Sequence, residues 1–522
     1  MKRYLTKLNI VFTLHLAVTA AVVFLGLPRE FFLYSAGIVI FFSIFEPLQD
    51  SILLIARSIP IFVALPLSEQ FDSLNMWRIV VLILFLTWLV NLARMRCIID
   101  EVRAIMRAMK ANMWGGIRYA WRQWPIEFLS VALVLISFAS LVGAADISGG
   151  VKRIIFFLNL SMLFFVVRSV VTRENAARIA MNAVYSGIIV VFVGVFQLVL
   201  AYTMNVDRFS EFWALTVNKV LYGTAWANIA IAANTWFAYY SGTIHLRMFS
   251  SFPDTHSFPL YLLMILCFSV TLFAFEKKRI KQYLLVTVIA LAAFEAVLSG
   301  TRGIWASAVF AVVFIGYLFV RRYPVRKIAL LPLVLFFISL PLASFIFNSP
   351  QFQFSGTPAE RAVFAERIKS IVDTGETSNQ GRIYIWKETL RSMGKHPLLG
   401  VGIGNFPIVL ALNPSAIKAG ASAHNLYLNF FAELGVLGFI ATSLLIAVIL
   451  KKAWELFMRG DDAFTKFFAL NALVYFVWIL WYSMTDVAIF DERPFLLLML
   501  LMGMLFALGA RSSSVRLPFA DK

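Results

Sequence analysis

The sequence predicts an all-α, polytopic integral membrane protein, and three observations carry that expectation. Hydrophobic residues make up 61% of the 522-residue chain and charged residues only 14%, far from the balance of a soluble domain. Apolar runs of about 17–25 residues recur along the chain, each long enough to cross a bilayer as a helix. The runs are continuous rather than alternating, so helices rather than a closed β-barrel are the expected crossing elements. Nothing at the N-terminus resembles a cleaved signal peptide, because MKRYLTK leads into an apolar run too long for one. Cys97 and Cys267 lie in or beside apolar segments and suggest neither a disulfide framework nor a metal site.

Charge orients the crossings. A formal net charge of +18 would suit nucleic acid, but the basic residues cluster in short loops between apolar runs. The clusters are Lys2 to Lys7, Arg94 to Arg122, Arg168 to Arg178, EKKRIK from Glu276, RRYPVRK from Arg321, KKAWELFMRG from Lys451, and the tail after Arg511. Such loops mark the cytoplasmic side. Crossings are expected near 8–26, 31–46, 51–67, 77–93, 126–144, 153–171, 179–203, 258–275, 282–299, 304–320, 328–347, 425–450, 467–484 and 494–510. About fourteen crossings put every cluster and both termini inside. The chain then divides into seven spans (1–203), an outer or re-entrant segment (204–257), four spans (258–347), a large outer loop (348–423), and three spans with a cytoplasmic tail (424–522).

One apolar run resists this map. Thr224 to Gly242 (TAWANIAIAANTWFAYYSG) is long enough to cross, yet counting it inverts every later loop. Dotted with Asn228, Asn234 and aromatic residues, it is expected in the outer interface or as a re-entrant segment. The alternative is a fifteenth span with another misplaced. In the outer loop, PAERAVFAERIKSIV from Pro358 reads as a short amphipathic helix with proline in its first turn. TGETSNQG reads as a turn-rich break, and GRIYIWKETLRSM as a second helix ending at Gly394. The glycines of HPLLGVGIGNF invite a phosphate-loop reading, which fails because no strand–loop–helix unit surrounds them.

GRIYIWKETLRSMGKHPLLGVGIGNF followed by AHNLYLNFFAELGVLGF resembles the signature of the O-antigen ligase and O-antigen polymerase family. That pattern is an arginine before an aromatic-rich helix, then Pro-x-x-Gly-x-Gly, then His-Asn-x-x-Leu and Glu-x-Gly-x-x-Gly. LSGTRG, from Leu298, resembles its other marker, an arginine at the outer end of an earlier span. The match runs roughly from Ala292 to Ile440, and the first seven spans match in hydropathy alone. The resemblance implies a GT-C-like membrane glycosyltransferase working on the periplasmic face of a bacterial inner membrane. Such enzymes move a glycan from undecaprenyl pyrophosphate to an acceptor hydroxyl, with no nucleotide sugar, metal or other cofactor. Ligases use lipid A–core as acceptor, and polymerases another lipid-linked repeat. Carried over by motif, the functional positions are Arg302, Arg382 and His424.

The chemistry of these residues agrees with that implication. A pyrophosphate leaving group gains negative charge as the glycosidic bond breaks, and guanidinium groups offer it planar, paired hydrogen bonds. A neutral imidazole at position 424 suits the removal of an acceptor proton, and the positive end of a helix favours the neutral ring. Plainer alternatives stand beside each assignment: snorkelling for Arg302, a solvated helix-end charge for Arg382, and a capping or interfacial role for His424.

Glu433 falls on the helix face opposite His424 and reads as an intramembrane contact. Glu295, two turns below Arg302, is placed to orient it or to pair within the bundle. Asp254 and His256, in SFPDTHSFPLYL at the entrance to the eighth span, are candidate acceptor contacts, although the family's Asn-containing turn is missing there. A lipid-linked oligosaccharide flippase or other transporter fits the hydropathy but needs no such loop, and the chain has no clear repeated halves. A metal-dependent transferase would need outer acidic ligands, for which Asp486, Asp491 and Glu492 are the best set. The favoured reading is a ligase, with a polymerase as its alternative.

Overall fold

The computed structural model describes residues 6–67, 74–90, 92–233, 235–240, 243–349, 351–352, 363–373, 375–411 and 422–509. Among the described residues, nine helices are long and apolar enough to cross a membrane: Lys7–Phe24, Pro125–Gly143, Ile147–Val170, Ala176–Thr203, Arg279–Leu298, Arg302–Val320, Lys327–Asn348, Leu426–Arg459 and Ala463–Tyr482. Three shorter apolar helices, Phe31–Phe45, Met76–Leu89 and Ser257–Phe273, join them, as does Glu492–Leu508. The helical class holds apart from one hairpin, in which Phe237–Tyr240 pairs antiparallel with Thr243–Leu246 and Phe237 faces Leu246.

Every expected crossing coincides with a helix except the third, which is helical only in part. The stretch expected at 51–67 is α-helical over Leu48–Ser58, turns once as a 3-10 helix at Ile59–Ile61, and then runs extended. Pro60 explains the break, since proline disfavours the helical conformation of the residue before it and lacks an N–H to continue the ladder. By their rises per residue these pieces together advance roughly 40 Å. Irregular backbone inside an apolar bundle needs its polar groups paired, and residues 59–65 are buried throughout. Their polar groups find partners: Ala64 N–H donates to the Leu221 carbonyl, Leu65 N–H to the Leu74 carbonyl, and Arg493 Nη2 to the Phe62 carbonyl at 3.0 Å.

Ion pairs gather at one end of the bundle. Lys7 pairs with Glu46, Arg178 with Asp50, and Arg173 with Asp461 and Asp462. The loops that the charge pattern assigns to one side therefore meet there. At the other end, buried Arg493 lies over the Tyr222 ring at 4.7 Å and donates to the Ser251 carbonyl. Trp236 stacks on Phe249 with centroids 4.7 Å apart. The Arg493 contacts fasten Tyr222 and Ser251 onto the bundle end that carries the candidate site.

Two expectations need correction. The basic stretch from Arg94 to Arg122 is not a short loop but a helical pair, Leu92–Ala111 and Met113–Gln123, with the Asn112 side chain capping the second member. Its Arg, Lys, Met and Ala residues are good helix formers. The run that starts at Thr224, expected outside the crossings, is helical over the ten residues Thr224–Ala233, about 15 Å and too short to cross, and Phe237–Tyr240 then forms the first strand of the hairpin. The second loop helix starts earlier than expected and spans Thr377–Lys395, because the Glu376 carboxylate caps it by accepting the Asn379 N–H at 3.0 Å. The first loop helix is described over Val363–Lys369; Pro358 to Ala362 lie outside the described residues.

Candidate active site

The chain enters helix Leu426–Arg459 through Ala423, His424 and Asn425. Asn425 is the cap: its Oδ1 accepts the N–H groups of Tyr427 and Leu428 at 3.0 and 3.1 Å. His424 has a left-handed φ of 43°, a conformation costly for a residue with a Cβ and held only where the surroundings impose it. Here they do. The Ala423 carbonyl accepts from Trp386 Nε1 at 2.9 Å, its N–H donates to Asn429 Oδ1 at 3.1 Å, and Leu426 N–H donates to the Ser483 carbonyl at 2.8 Å.

Across from His424 lies Asp486, buried just beyond helix Ala463–Tyr482. Its Oδ1 accepts the N–H groups of Val487 and Ala488 at 2.8 and 2.9 Å, which leaves Oδ2 facing two imidazoles. His256 Nδ1 stands 3.0 Å from that oxygen and His424 Nδ1 3.9 Å. The second distance exceeds hydrogen-bond reach, and His424 Nδ1 has no hydrogen-bond partner among the described residues. Burial pushes the Asp486 carboxyl up, but the facing histidines, His256 foremost, outweigh burial and hold it well below the usual carboxylate range. The Tyr482 hydroxyl lies 3.4 Å from His256 Nδ1.

His256 reaches this position through a turn built by Asp254. Oδ1 of Asp254 accepts the N–H groups of His256 and Ser257 at 2.6 and 2.9 Å, and Oδ2 accepts the Ser257 hydroxyl at 2.9 Å. The Asp254 carboxylate is thus committed to starting helix Ser257–Phe273 and presenting His256.

The two family arginines differ in their surroundings. Arg302 opens helix Arg302–Val320; its Nη1 donates to the Ser370 carbonyl at 3.0 Å and its Nη2 to Glu376 Oε2 at 3.1 Å. It clamps the loop helices onto the bundle. Gly300 beside it has φ 62°, and a Cβ there would sit 2.8 Å from Arg367 Nη2; Arg367 donates to the Gly300 carbonyl. Arg382, in the second turn of helix Thr377–Lys395, makes no hydrogen bond or ion pair with a described residue. With Arg247 it lies within electrostatic reach of the Tyr482 hydroxyl. Trp386, one turn further along the same helix face, is the residue that pins Ala423. Arg382 therefore sits on the face turned toward His424.

The two glycine motifs form one joint. Val401 N–H donates to the Ala432 carbonyl at 2.8 Å, Gly402 N–H to the Glu433 carbonyl at 3.1 Å, and Val436 N–H to the Pro397 carbonyl at 2.8 Å. Gly435 breaks the helix with φ 65°, ψ −167°, and a Cβ on it would overlap the Leu398 backbone, as one on Gly400 would overlap Ala432 and Glu433. Glu433 is the packing contact the helix-face argument expects. Glu295 does not reach Arg302; it is buried against Gly194.

The acidic set Asp486, Asp491 and Glu492 does not converge, because Glu492 Oε2 accepts from Asn75 Nδ2 at 3.0 Å and Trp77 Nε1 at 2.9 Å. Among the described residues, no group of three or more His, Cys, Asp or Glu is arranged to hold a metal ion. Asp486 as the partner of both histidines, and Tyr482 beside them, escape sequence reasoning. Both stand at the far end of a later span, and no spacing links them to His256 or His424.

Residues 285–443 match the family model described as O-antigen ligase. No curated protein matches the chain. The matched segment takes in Arg302, Arg382, His424 and both glycine motifs, while His256 and Asp486 come from outside it. That segment, less than a third of the chain, is similar to the O-antigen ligase family of membrane enzymes.

Proposed function

We propose that the protein is a ligase-type glycosyltransferase that moves a glycan from undecaprenyl pyrophosphate onto a hydroxyl of lipid A–core, at the periplasmic face of a bacterial inner membrane. The observation that carries this reading is the convergence of His256 and His424 on one oxygen of Asp486, near Arg382, which no described residue engages by hydrogen bond or ion pair. A carboxylate at Nδ1 favours the tautomer whose Nε2 is free to accept a proton. His424 is the more exposed of the two rings, 38% against 21% of the side chain, and takes the role of base. It removes the acceptor's proton as that oxygen attacks the anomeric carbon and the bond to the pyrophosphate oxygen breaks. Apo hydrogen bonds at such sites are commonly long, so the 3.9 Å separation closes when the acceptor binds.

Arg382 receives the charge that grows on the leaving pyrophosphate, through paired N–H donors. Arg302 joins it by sharing or releasing Glu376. With guanidinium groups supplying this stabilisation, the scheme calls on no metal. His256 flanks the acceptor, and Asp254 acts on the site by holding the turn beneath it. The basic end of the bundle, with both termini, faces the cytoplasm. A polymerase would use the same residues and differ in its acceptor.

Transfer assays on purified protein test the reading, with glycan on undecaprenyl pyrophosphate offered lipid A–core or a second lipid-linked repeat. Glycan appearing on core is expected. Growth of the lipid-linked repeat alone would replace the ligase with a polymerase, and transfer to neither would overturn both.

A further inference from the structure

The basic helical pair Leu92–Ala111 and Met113–Gln123 has no part in the proposed reaction. Residues 92–123 hold seven basic residues against two acidic ones, Asp100 and Glu101, so the pair is strongly positive. Elsewhere at this end of the bundle, cations meet carboxylates of the chain: Lys7 with Glu46, Arg178 with Asp50 and Arg168 with Glu127. On the pair, Arg103 meets Asp100 at 3.3 Å, an exposed contact of little strength. Arg107, Lys110, Arg118 and Arg122 are exposed, and none forms an ion pair with a described carboxylate. Their charge is left for a partner outside the protein.

The exposed surface of the first helix carries two stripes. At 100° per residue, Arg103, Arg107 and Lys110 fall within about 60° of one another. Ile99, Val102, Met106 and Met109 fall within about 80°, centred roughly a quarter turn away, and all four are exposed. Met113 and Trp114 continue the exposed apolar surface into the second helix. Both ends of the pair are tied to apolar helices, Met76–Leu89 before it and Pro125–Ser140 after it. Tyr119 packs edge-on against Trp124 and Trp121 against Phe128, with centroids 5.8 and 6.0 Å apart. Those contacts hold the second helix at the start of Pro125–Ser140. Glu101 lies within electrostatic reach of Glu127 and Arg168, which places the first helix at the same level.

A nucleic acid or a soluble acidic protein would meet the basic stripe but leave the apolar one in water. A bilayer surface meets both at once. The apolar stripe sinks to the acyl boundary, and the neighbouring cations reach phosphate height. A net-neutral headgroup layer would leave those cations uncompensated, so an anionic one fits. We propose that this helical pair lies on the membrane surface at the ion-paired end of the bundle and binds the headgroups of anionic phospholipids. The assignment does not rest on the transfer reaction.

The test uses the purified full chain in nanodiscs of phosphatidylcholine alone, or of equal parts phosphatidylcholine and phosphatidylglycerol. Backbone hydrogen exchange over 92–123 is expected to be about tenfold slower in the anionic discs, and the difference should shrink at high salt. The combined variant Arg103→Gln, Arg107→Gln, Lys110→Gln should remove the difference and leave exchange of the spanning helices unchanged. A second readout keeps these three cations in place. With Cys97 replaced and Cys267 buried, spin labels on Met106→Cys and Asp100→Cys report the two stripes. The label at 106 should collide mainly with oxygen, which dissolves in hydrocarbon, and the label at 100 mainly with a water-soluble nickel complex. Equal exchange in the two discs, a triple variant protected like the wild type, or two labels that both favour nickel would each overturn the proposal. So would protection that appears in phosphatidylcholine discs only after RNA or a membrane-free cell extract is added, since the partner would then be a nucleic acid or a protein.

Discussion

His424 stands before a helix without capping it, and that separation makes its chemistry testable. Asn425 supplies the cap, so a substitution at 424 leaves the helix start intact. Asparagine also tolerates a left-handed φ better than most residues. His424→Asn is therefore expected to insert and fold like the wild type while transfer drops by about 10²–10⁴-fold, the usual contribution of a positioned base; retained transfer at matched protein level would remove the base assignment. Asp486 calls for a pH argument. Its carboxyl is held below the usual range, so its pairing with the histidines is complete above the ordinary carboxylate value of about 4 and is lost only as pH falls through the lower folded value. Acidification from pH 8 to 5 leaves Asp486 charged. Asp486→Asn should lower transfer by about 10²-fold or more at every pH in that window, and a variant matching the wild type at pH 8 would show that the carboxylate does not orient the base. Arg302, Arg382 and His424 are legible in the sequence because they sit in local motifs. The Asp486 contact is not, because it joins residues preceding or following three different spans.

At the scale of elements, Glu376 separates two roles of Arg302. The arginine holds the loop helices through Ser370 and Glu376, and it is also a candidate for the donor's pyrophosphate. Arg302→Ala should weaken both loop docking, read as faster hydrogen exchange over 363–379, and binding of the lipid donor. Glu376→Gln should loosen the loop but keep or tighten donor binding, since it removes a carboxylate that competes with phosphate for the guanidinium. Equal loss of donor binding in both variants would make Arg302 a clamp only. The glycine joint is a second element with a distinct signature. Gly435→Ala places a Cβ at φ 65° against the Leu398 backbone, so it should cost about 1–3 kcal/mol from the backbone conformation alone and lower the Tm of the purified protein; an unchanged Tm would mean the joint is dispensable. Most helices are readable from apolar length. The break at Pro60 in the third apolar stretch and the earlier start at Thr377 are less so, because they depend on a single proline and a single capping carboxylate that window-based reading averages away.

At the scale of the molecule, orientation in the membrane is the prediction on which the chemistry depends. In a background with Cys97 replaced, Lys387→Cys on the exposed face of the loop helix should react with an impermeant thiol reagent added outside the inner membrane. Lys278→Cys and Arg322→Cys should react only after that membrane is opened. The reverse pattern would put the His424 site in the cytoplasm and end the proposed reaction. The sequence by itself determined the membrane class, the position of nearly every long apolar helix and the family motifs of residues 285–443. Hydrophobic length, proline and glycine punctuation and short motifs are all local, and are expressed within a few turns of the chain. Only the tertiary structure decided that Asp486 faces His256 and His424, and that Arg302 is engaged while Arg382 meets no described residue by hydrogen bond or ion pair. Those facts depend on which helix faces meet when the bundle packs, and the periodicity of one helix says which side is apolar but not which neighbour it meets.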